Sequence, residues 1–285
     1  MIKAILLDID GILIGDKEDY NFPSAHPIVL KTLQTIRESG IPIILCTAKP
    51  NFSIADIIQD AHLNNFHITD GGAVIIDPID DHVLEELTLD TNLIGKIVQM
   101  LLDKNIYTEL YTHNHYYIQN DQIAPETYIH QAILQKEAVI VNSLIEAAQS
   151  LSVTKIMFIA KDNDDKEKIS QLIAPFTSFA SINWGLHPTA LPRQFEFIVN
   201  KETSKKDAVL RVLEALTIPI ENALGIGDST SDWKFIQPLG YGATLQNGTE
   251  EIKNLIQSKQ NGHFFIGKSV DENGVIDIFK YFNLL

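Results

Sequence analysis

Cysteine occurs once in this chain, at Cys46, so no internal disulfide can staple the fold and stability has to come from a buried apolar core. Cys46 lies in an apolar run and reads as an inert, buried thiol. Basic residues are also few: 22 Lys and Arg stand against 37 Asp and Glu, a net charge of −15, with no long basic cluster. That removes the electrostatic footprint of a nucleic-acid binder and disfavours anionic membrane surfaces. An anionic small molecule would be repelled at long range too, so a site for one needs a metal ion or a few well-placed lysines. Long apolar runs are missing as well. The N-terminal stretch is broken by Lys3 and Asp8 and is too short for a signal-peptide core or a membrane span, so a cytoplasmic location is expected. No internal repeat or low-complexity tract interrupts the chain, and Gly71-Gly72 lacks the spacing of a Gly-x-Gly-x-x-Gly phosphate loop.

What is present is the composition of an ordinary globular protein, 45% apolar and 21% charged over 285 residues, enough for one large domain or two smaller ones. Ile5-Leu6-Leu7 reads as a buried strand of a parallel sheet and runs into Asp8-Ile9-Asp10-Gly11. Side chains alternate along a strand, so an extended backbone through residue 10 would aim Asp8 and Asp10 to one side, with Gly11 turning the chain. The carboxyl ends of parallel strands are where α/β proteins bind ligands. Two carboxylates there could hold a hard cation, attack an electrophile or exchange protons with a leaving group.

Helical periodicity over 27–39 ends at Gly40, residues 41–46 form a second apolar strand closing in Thr47-Ala48-Lys49, and residues 54–61 a second helix. Residues 66–68 then read as a third strand running into Asp70-Gly71-Gly72, giving the alternation of a parallel sheet with right-handed crossovers. From about residue 81 the texture changes to an α+β set, including a tyrosine-rich hairpin around the turn Thr112-His113-Asn114-His115. The turn alone accounts for both histidines. The α/β texture returns near Ser204, which can cap a helix, and a further apolar strand, 223–227, ends in Asp228-Ser229-Thr230-Ser231-Asp232. The expected fold is therefore a doubly wound, mostly parallel three-layer core from residues 1–80 and 193–285, with an α+β domain, 81–192, inserted between them.

In this order the strand ends resemble the haloacid dehalogenase-like (HAD) superfamily of phosphotransferases. The Asp-x-Asp-Gly motif is matched by Asp8 to Gly11, the Thr or Ser closing the next strand by Thr47, the Lys by Lys205, and Gly-Asp-x-x-x-Asp by Gly227 to Asp232. The insertion resembles a type 2 cap, as in the Cof-type sugar-phosphatase branch, and Asn247-Gly248 and Asn273-Gly274-Val275 look like that branch's tail signatures. The resemblance implies an Mg2+-dependent phosphatase acting on a small phosphate monoester, a sugar phosphate or related metabolite, as a monomer or small homo-oligomer. It implies Asp8 as nucleophile, Asp10 as general acid and base, and Thr47 and Lys205 as phosphate contacts, with Lys206 adjacent. By the same resemblance the metal ligands are Asp8, Asp10 through its carbonyl, Asp228, and Asp232 directly or through water.

Gly11, Ala48, Lys49, Arg193 and Asn247 are the further candidates for substrate contact, and Trp184 and His187 lie in the same returning stretch as Arg193. Two departures stand out. The branch commonly has Thr-Gly-Arg where this chain has Thr47-Ala48-Lys49, which removes a bidentate guanidinium, and it has Asn where Ser231 stands. The same residues would serve a phosphomutase, and a non-catalytic metabolite-binding protein could retain the fold.

Overall fold

The computed structural model describes residues 1–186 and 190–285, with the side chains of 183–186 left aside. The chain opens with β1 (Ala4–Leu7), α1 (Pro27–Glu38), β2 (Ile43–Leu45), α2 (Ala55–Asp60), β3 (His67–Thr69), β4 (Val74–Asp77) and β5 (His82–Glu86). The middle supplies α3 (Thr91–Asp103), β6 (Thr108–Tyr111), β7 (Tyr116–Gln119), α4 (Pro125–Leu134), β8 (Val139–Val141), α5 (Leu144–Ala147), β9 (Lys155–Ala160), α6 (Asn163–Ile173), β10 (Ala180–Leu186) and β11 (Gln194–Asn200). The last part adds α7 (Lys205–Ala215), β12 (Ala223–Ile226), α8 (Thr230–Ile236), β13 (Tyr241–Leu245), α9 (Glu250–Ile256), β14 (Phe264–Gly267) and α10 (Val275–Tyr281). No helix among the described residues is long and apolar enough to cross a membrane.

Two compact units result. The first comprises Met1–Lys49, Ile54–Glu85 and Ser204–Leu285, the second Pro50–Ser53 and Glu86–Thr203. The return to the first unit thus falls at Ser204 and not at residue 193, because β11 pairs antiparallel with β9 and β10. At the other boundary β5 as far as Glu85, expected in the insertion, belongs to the first unit with β3 and β4.

The first unit is built on a five-stranded sheet in the order β14-β13-β12-β1-β2, parallel throughout. All four residues of β1 are fully buried, as a central strand covered on both faces requires. Alternation divides them: Ile5 and Leu7 join Val29, Leu33 and Ile36 of α1 and Val275, Ile278 and Phe279 of α10, whereas Ala4 and Leu6 join Val209, Val212 and Leu213 of α7, Phe235 of α8 and Ile252 of α9. Helices therefore cover both faces, and the core is the expected three-layer, doubly wound α/β fold.

The third strand is not a full member of that sheet. β3 touches the β2 segment through a single parallel bridge, Cys46 to Ile68, and otherwise pairs antiparallel with β4. Side chains occupy the backbone groups that a strand ladder would use. Asn65 Nδ2 donates to the Ile43 carbonyl at 2.9 Å, and the Leu45 N–H donates to His67 Nδ1 at 3.1 Å. His67 Nε2 lies 2.8 Å from the Leu63 carbonyl, so the ring is a neutral imidazole carrying its proton on Nε2. Burial pushes its pKa down to about 4.

The second unit carries a six-stranded sheet, β10-β11-β9-β6-β7-β8, antiparallel except where β7 meets β8. Apolar residues of α3, α5 and α6 pack with one set of its side chains, including Leu110, Ile156 and Phe158. The other set, with Tyr107, Tyr111 and Tyr116, surrounds a carboxyl group: Glu109 is fully buried and accepts from Tyr107 Oη at 2.9 Å and Tyr111 Oη at 2.7 Å, with His130 Nδ1 at 2.8 Å. Three partners make that burial tolerable.

His67→Ala should lower unfolding stability by about 2–5 kcal/mol, since it opens a cavity and orphans the Leu45 N–H. Because the wild-type imidazole is held neutral when folded, the unfolded chain takes up its proton first, and this contribution should fade as pH falls from 6.5 toward about 4. Urea unfolding across that window checks both expectations; equal pH dependence in wild type and variant would contradict the second.

Candidate active site

Four chain segments of the first unit meet where β1, β2 and β12 end. The Asp8 N–H donates to the Ile226 carbonyl at 3.0 Å, which fixes Asp8 one step past β1. After Gly227, Asp228 follows β12, and Ser229 caps α8: its hydroxyl lies 2.8 Å from Asp232 Oδ2, which also accepts from the Ser229 N–H at 3.3 Å. Asp8, Asp228 and Asp232 each place a carboxylate oxygen within 4.8 Å of the others. Two glycines allow this approach. A Cβ on Gly11, whose φ is +75°, would sit 2.2 Å from Asp228 Oδ2, and one on Gly227 would sit 2.3 Å from the Asp232 side chain.

The cation that answers them is Lys205. It is the first residue of α7, after the cap Ser204, whose backbone packs against Gly72 so closely that a Cβ there would lie 2.6 Å away. The Lys205 ammonium is 2.8 Å from Asp232 Oδ1 and 3.4 Å from Asp8 Oδ1. Lys206, adjacent in the sequence, is exposed. Burial pulls the Lys205 pKa down, but Asp8 and Asp232 more than reverse this, so the group stays charged. Burial pushes Asp8 upward, opposed by Lys205 and reinforced by Asp232 and Asp10. Asp228 is pushed up to about 6 by burial and the Asp232 charge, again against Lys205.

The remaining candidates fall into three groups. Thr47 is nearly buried; its Oγ1 accepts from the Lys49 N–H at 3.1 Å, and its own hydroxyl hydrogen has no acceptor among the described residues. Asp10 does not continue the strand. It forms an isolated bridge to Ile14 and stands 60% exposed, with its carboxylate 3.2 Å from Lys49 Nζ and outside the three-acid cluster. Ala48, between Thr47 and Lys49, is exposed.

Two expected substrate contacts are otherwise engaged. Asn247 donates to the Gly11 carbonyl at 2.8 Å and accepts from the Val270 N–H at 2.8 Å, so both ends of its amide brace the turn after Asp10. Arg193 belongs to the second unit, where Nε donates to Glu126 Oε1 at 2.9 Å. In that unit His113 Nδ1 pairs with Glu86 at 2.7 Å, which suits the turn reading of that residue. His187 and the Trp184 side chain lie outside the described residues. Ser229 was missed by sequence reasoning, although the Ser-x-x-Asp spacing of Ser229 and Asp232 is that of a capping box with a shorter acid.

A carboxylate triad thus lies at the carboxyl edge of the parallel sheet, with one largely buried ammonium beside it. The chain belongs to the haloacid dehalogenase-like hydrolases, whose family model matches residues 5–279. Phosphatase YwpJ of Bacillus subtilis is 22% identical to it, over 98% of this chain and 99% of that protein. From the same organism, 5-amino-6-(5-phospho-D-ribitylamino)uracil phosphatase YwtE is 23% identical over 96% of each chain. Among solved structures, a haloacid dehalogenase-like hydrolase from Bacteroides thetaiotaomicron superposes with a TM-score of 0.83 at 20% identity, covering 98% of this chain and 99% of that one.

The Gly11 geometry has a direct consequence. Gly11→Ala forces a side chain into the space of Asp228 Oδ2 at a backbone conformation that strains L residues, and should lower unfolding stability by about 1–3 kcal/mol. Gly40→Ala, also at positive φ but with open space around it, should lose only about 1 kcal/mol. Equal losses in thermal unfolding would contradict the crowding.

Proposed function

We propose that this protein hydrolyses a small phosphate monoester through a phosphorylated Asp8, and that the single observation carrying the reading is the pairing of Asp8 with Lys205 inside the Asp228–Asp232 cluster. A carboxylate oxygen of Asp8 attacks phosphorus, and the bond to the ester oxygen breaks as Asp10 gives that oxygen a proton. Water then attacks the phosphorus of the acyl phosphate, passing its proton to Asp10, and orthophosphate leaves with Asp8 regenerated. Lys205, already 3.4 Å from Asp8, would meet the negative phosphoryl oxygens, and the unused hydroxyl hydrogen of Thr47 would donate to another.

The donor set fits a hard divalent cation. Asp8 and Asp228 offer carboxylate oxygens within 4.8 Å of each other, and burial first, then the neighbouring carboxylates, disfavours their charged forms in the absence of a cation. When bound, Mg2+ would offset the charge of the phosphate and align it for in-line transfer. Asp232 suits a different task. One of its oxygens holds Lys205 and the other is held by Ser229, so it serves as a buried anchor for the lysine.

The ribityl phosphate in the name of YwtE is a phosphate monoester on a polyol chain, which supports a phosphorylated sugar or polyol as substrate class. The acidic composition supports a small partner and speaks against nucleic acid, and a cytoplasmic setting accords with the single buried thiol.

Phosphate release from a panel of phosphorylated sugars and polyols, with and without Mg2+, tests the reading. Metal-dependent turnover should fall by at least about 10³-fold in Asp8→Asn, which keeps the shape and removes the nucleophile. Turnover unchanged in that variant, or product that is an isomerised phosphate and not free orthophosphate, would overturn it. Because the cation requires deprotonated ligands, apparent Mg2+ affinity should rise about tenfold or more between pH 5 and 7, with protons released on binding. Calorimetric titration in two buffers of different ionisation enthalpy reads both; affinity flat across this range would contradict the metal assignment.

A further inference from the structure

Lys49, a candidate for substrate contact, stands where the branch commonly has a guanidinium, and its ammonium already has a partner. Its ammonium lies 3.2 Å from Asp10 Oδ1, and this is the only ion pair of either residue among the described residues. The two partners differ in how they are held. Asp10 is 60% exposed, follows no strand and carries no other side-chain hydrogen bond among the described residues, so its carboxylate would otherwise sample several rotamers. Lys49 is only 18% exposed on its side chain, and its backbone is fixed at both ends: its N–H donates to Thr47 Oγ1 at 3.1 Å, and its carbonyl accepts from the Asp70 N–H at 3.0 Å. The anchored residue thus holds the free one.

We propose that Lys49 is a positioning residue for Asp10: it fixes one carboxylate oxygen, Oδ1, and leaves the other to pass a proton to the departing ester oxygen. An ammonium is a point charge and contacts one oxygen, so the pair does not consume both lone-pair sites of the carboxylate. Lys49 stays protonated throughout; the proton that moves is the one Asp10 gives to the leaving group. The inference rests on the reading of Asp10 as general acid, and the experiment separates the two.

The test is the dependence of kcat/KM on leaving-group pKa across a series of substituted phenyl phosphates of one shape, from 4-nitrophenyl to 4-methoxyphenyl. This ratio reports the steps through phosphoryl transfer to Asp8, before water enters. A leaving group that needs no protonation is indifferent to Asp10, whereas a basic one is not. Asp10→Asn should therefore lose about 10²-fold or more on the most basic leaving group and little on 4-nitrophenyl phosphate. Lys49→Met should steepen the dependence in the same sense by about 10-fold or more at the basic end, and Lys49→Arg, which keeps the charge, should restore most of it.

A uniform loss across the series in Lys49→Met, with the selective loss present in Asp10→Asn, would overturn the proposal and make Lys49 a phosphate contact. No selective loss in Asp10→Asn would overturn the general-acid reading itself. Lys49→Arg failing to restore the slope while Lys49→Met steepens it would contradict the ion pair as the cause.

Discussion

One largely buried ammonium among carboxylates is the constraint on which the rest of the site depends. A lysine at the first position of a helix is disfavoured by the helix dipole, and burying its charge is expensive unless it is paired. Lys205 meets both objections through Asp232 at 2.8 Å and Asp8 at 3.4 Å. Asp232 in turn needs a fixed orientation, and Ser229 supplies it. Gly72 is required so that the α7 start can approach, Gly11 so that Asp228 can lie against its backbone, and Gly227 so that Asp232 can. The small residues and the charges are parts of one arrangement.

That arrangement is anchored in the sheet. β1 lies between β2 and β12, and these three parallel strands end together, so groups far apart in sequence arrive at one edge. Covering both faces of the sheet with helices makes the strands rigid and dry, and it leaves the strand ends as the place where polar groups can gather. There burial does most to raise the pKa values of Asp8 and Asp228, and the neighbouring carboxylates add to it against the pull of Lys205.

Much of this was legible in the sequence because it rests on short-range chemistry. The apolar run into Asp8, the glycine at position 11, the capped helix at Ser204 and the strand ending at Gly227 each announce themselves locally, and their order is the motif order of the family. Long-range partnerships carried no such mark. Asn65 and His67 look like ordinary strand-flanking residues, yet their side chains take the backbone groups of β2 and turn β3 away into a hairpin with β4. Asn247 has the composition of a ligand contact, but its amide is spent on Gly11 and Val270. β4, β8 and β14 are strands of only three or four residues whose register comes from their neighbours and not from alternation. In the second unit, no local mark in β11 chooses between a boundary at residue 193 and one at Ser204; its pairing with β9 and β10 does.

The most direct measurement of the central claim is chemical. Acid-quenching the enzyme during turnover of a phosphorylated polyol and mapping its peptides by mass spectrometry should find a hydroxylamine-labile phosphoryl group on the peptide that carries Asp8, absent from Asp8→Asn. A phosphoryl group on any other residue, or rapid turnover with none trapped on Asp8 at any quench time, would contradict the account.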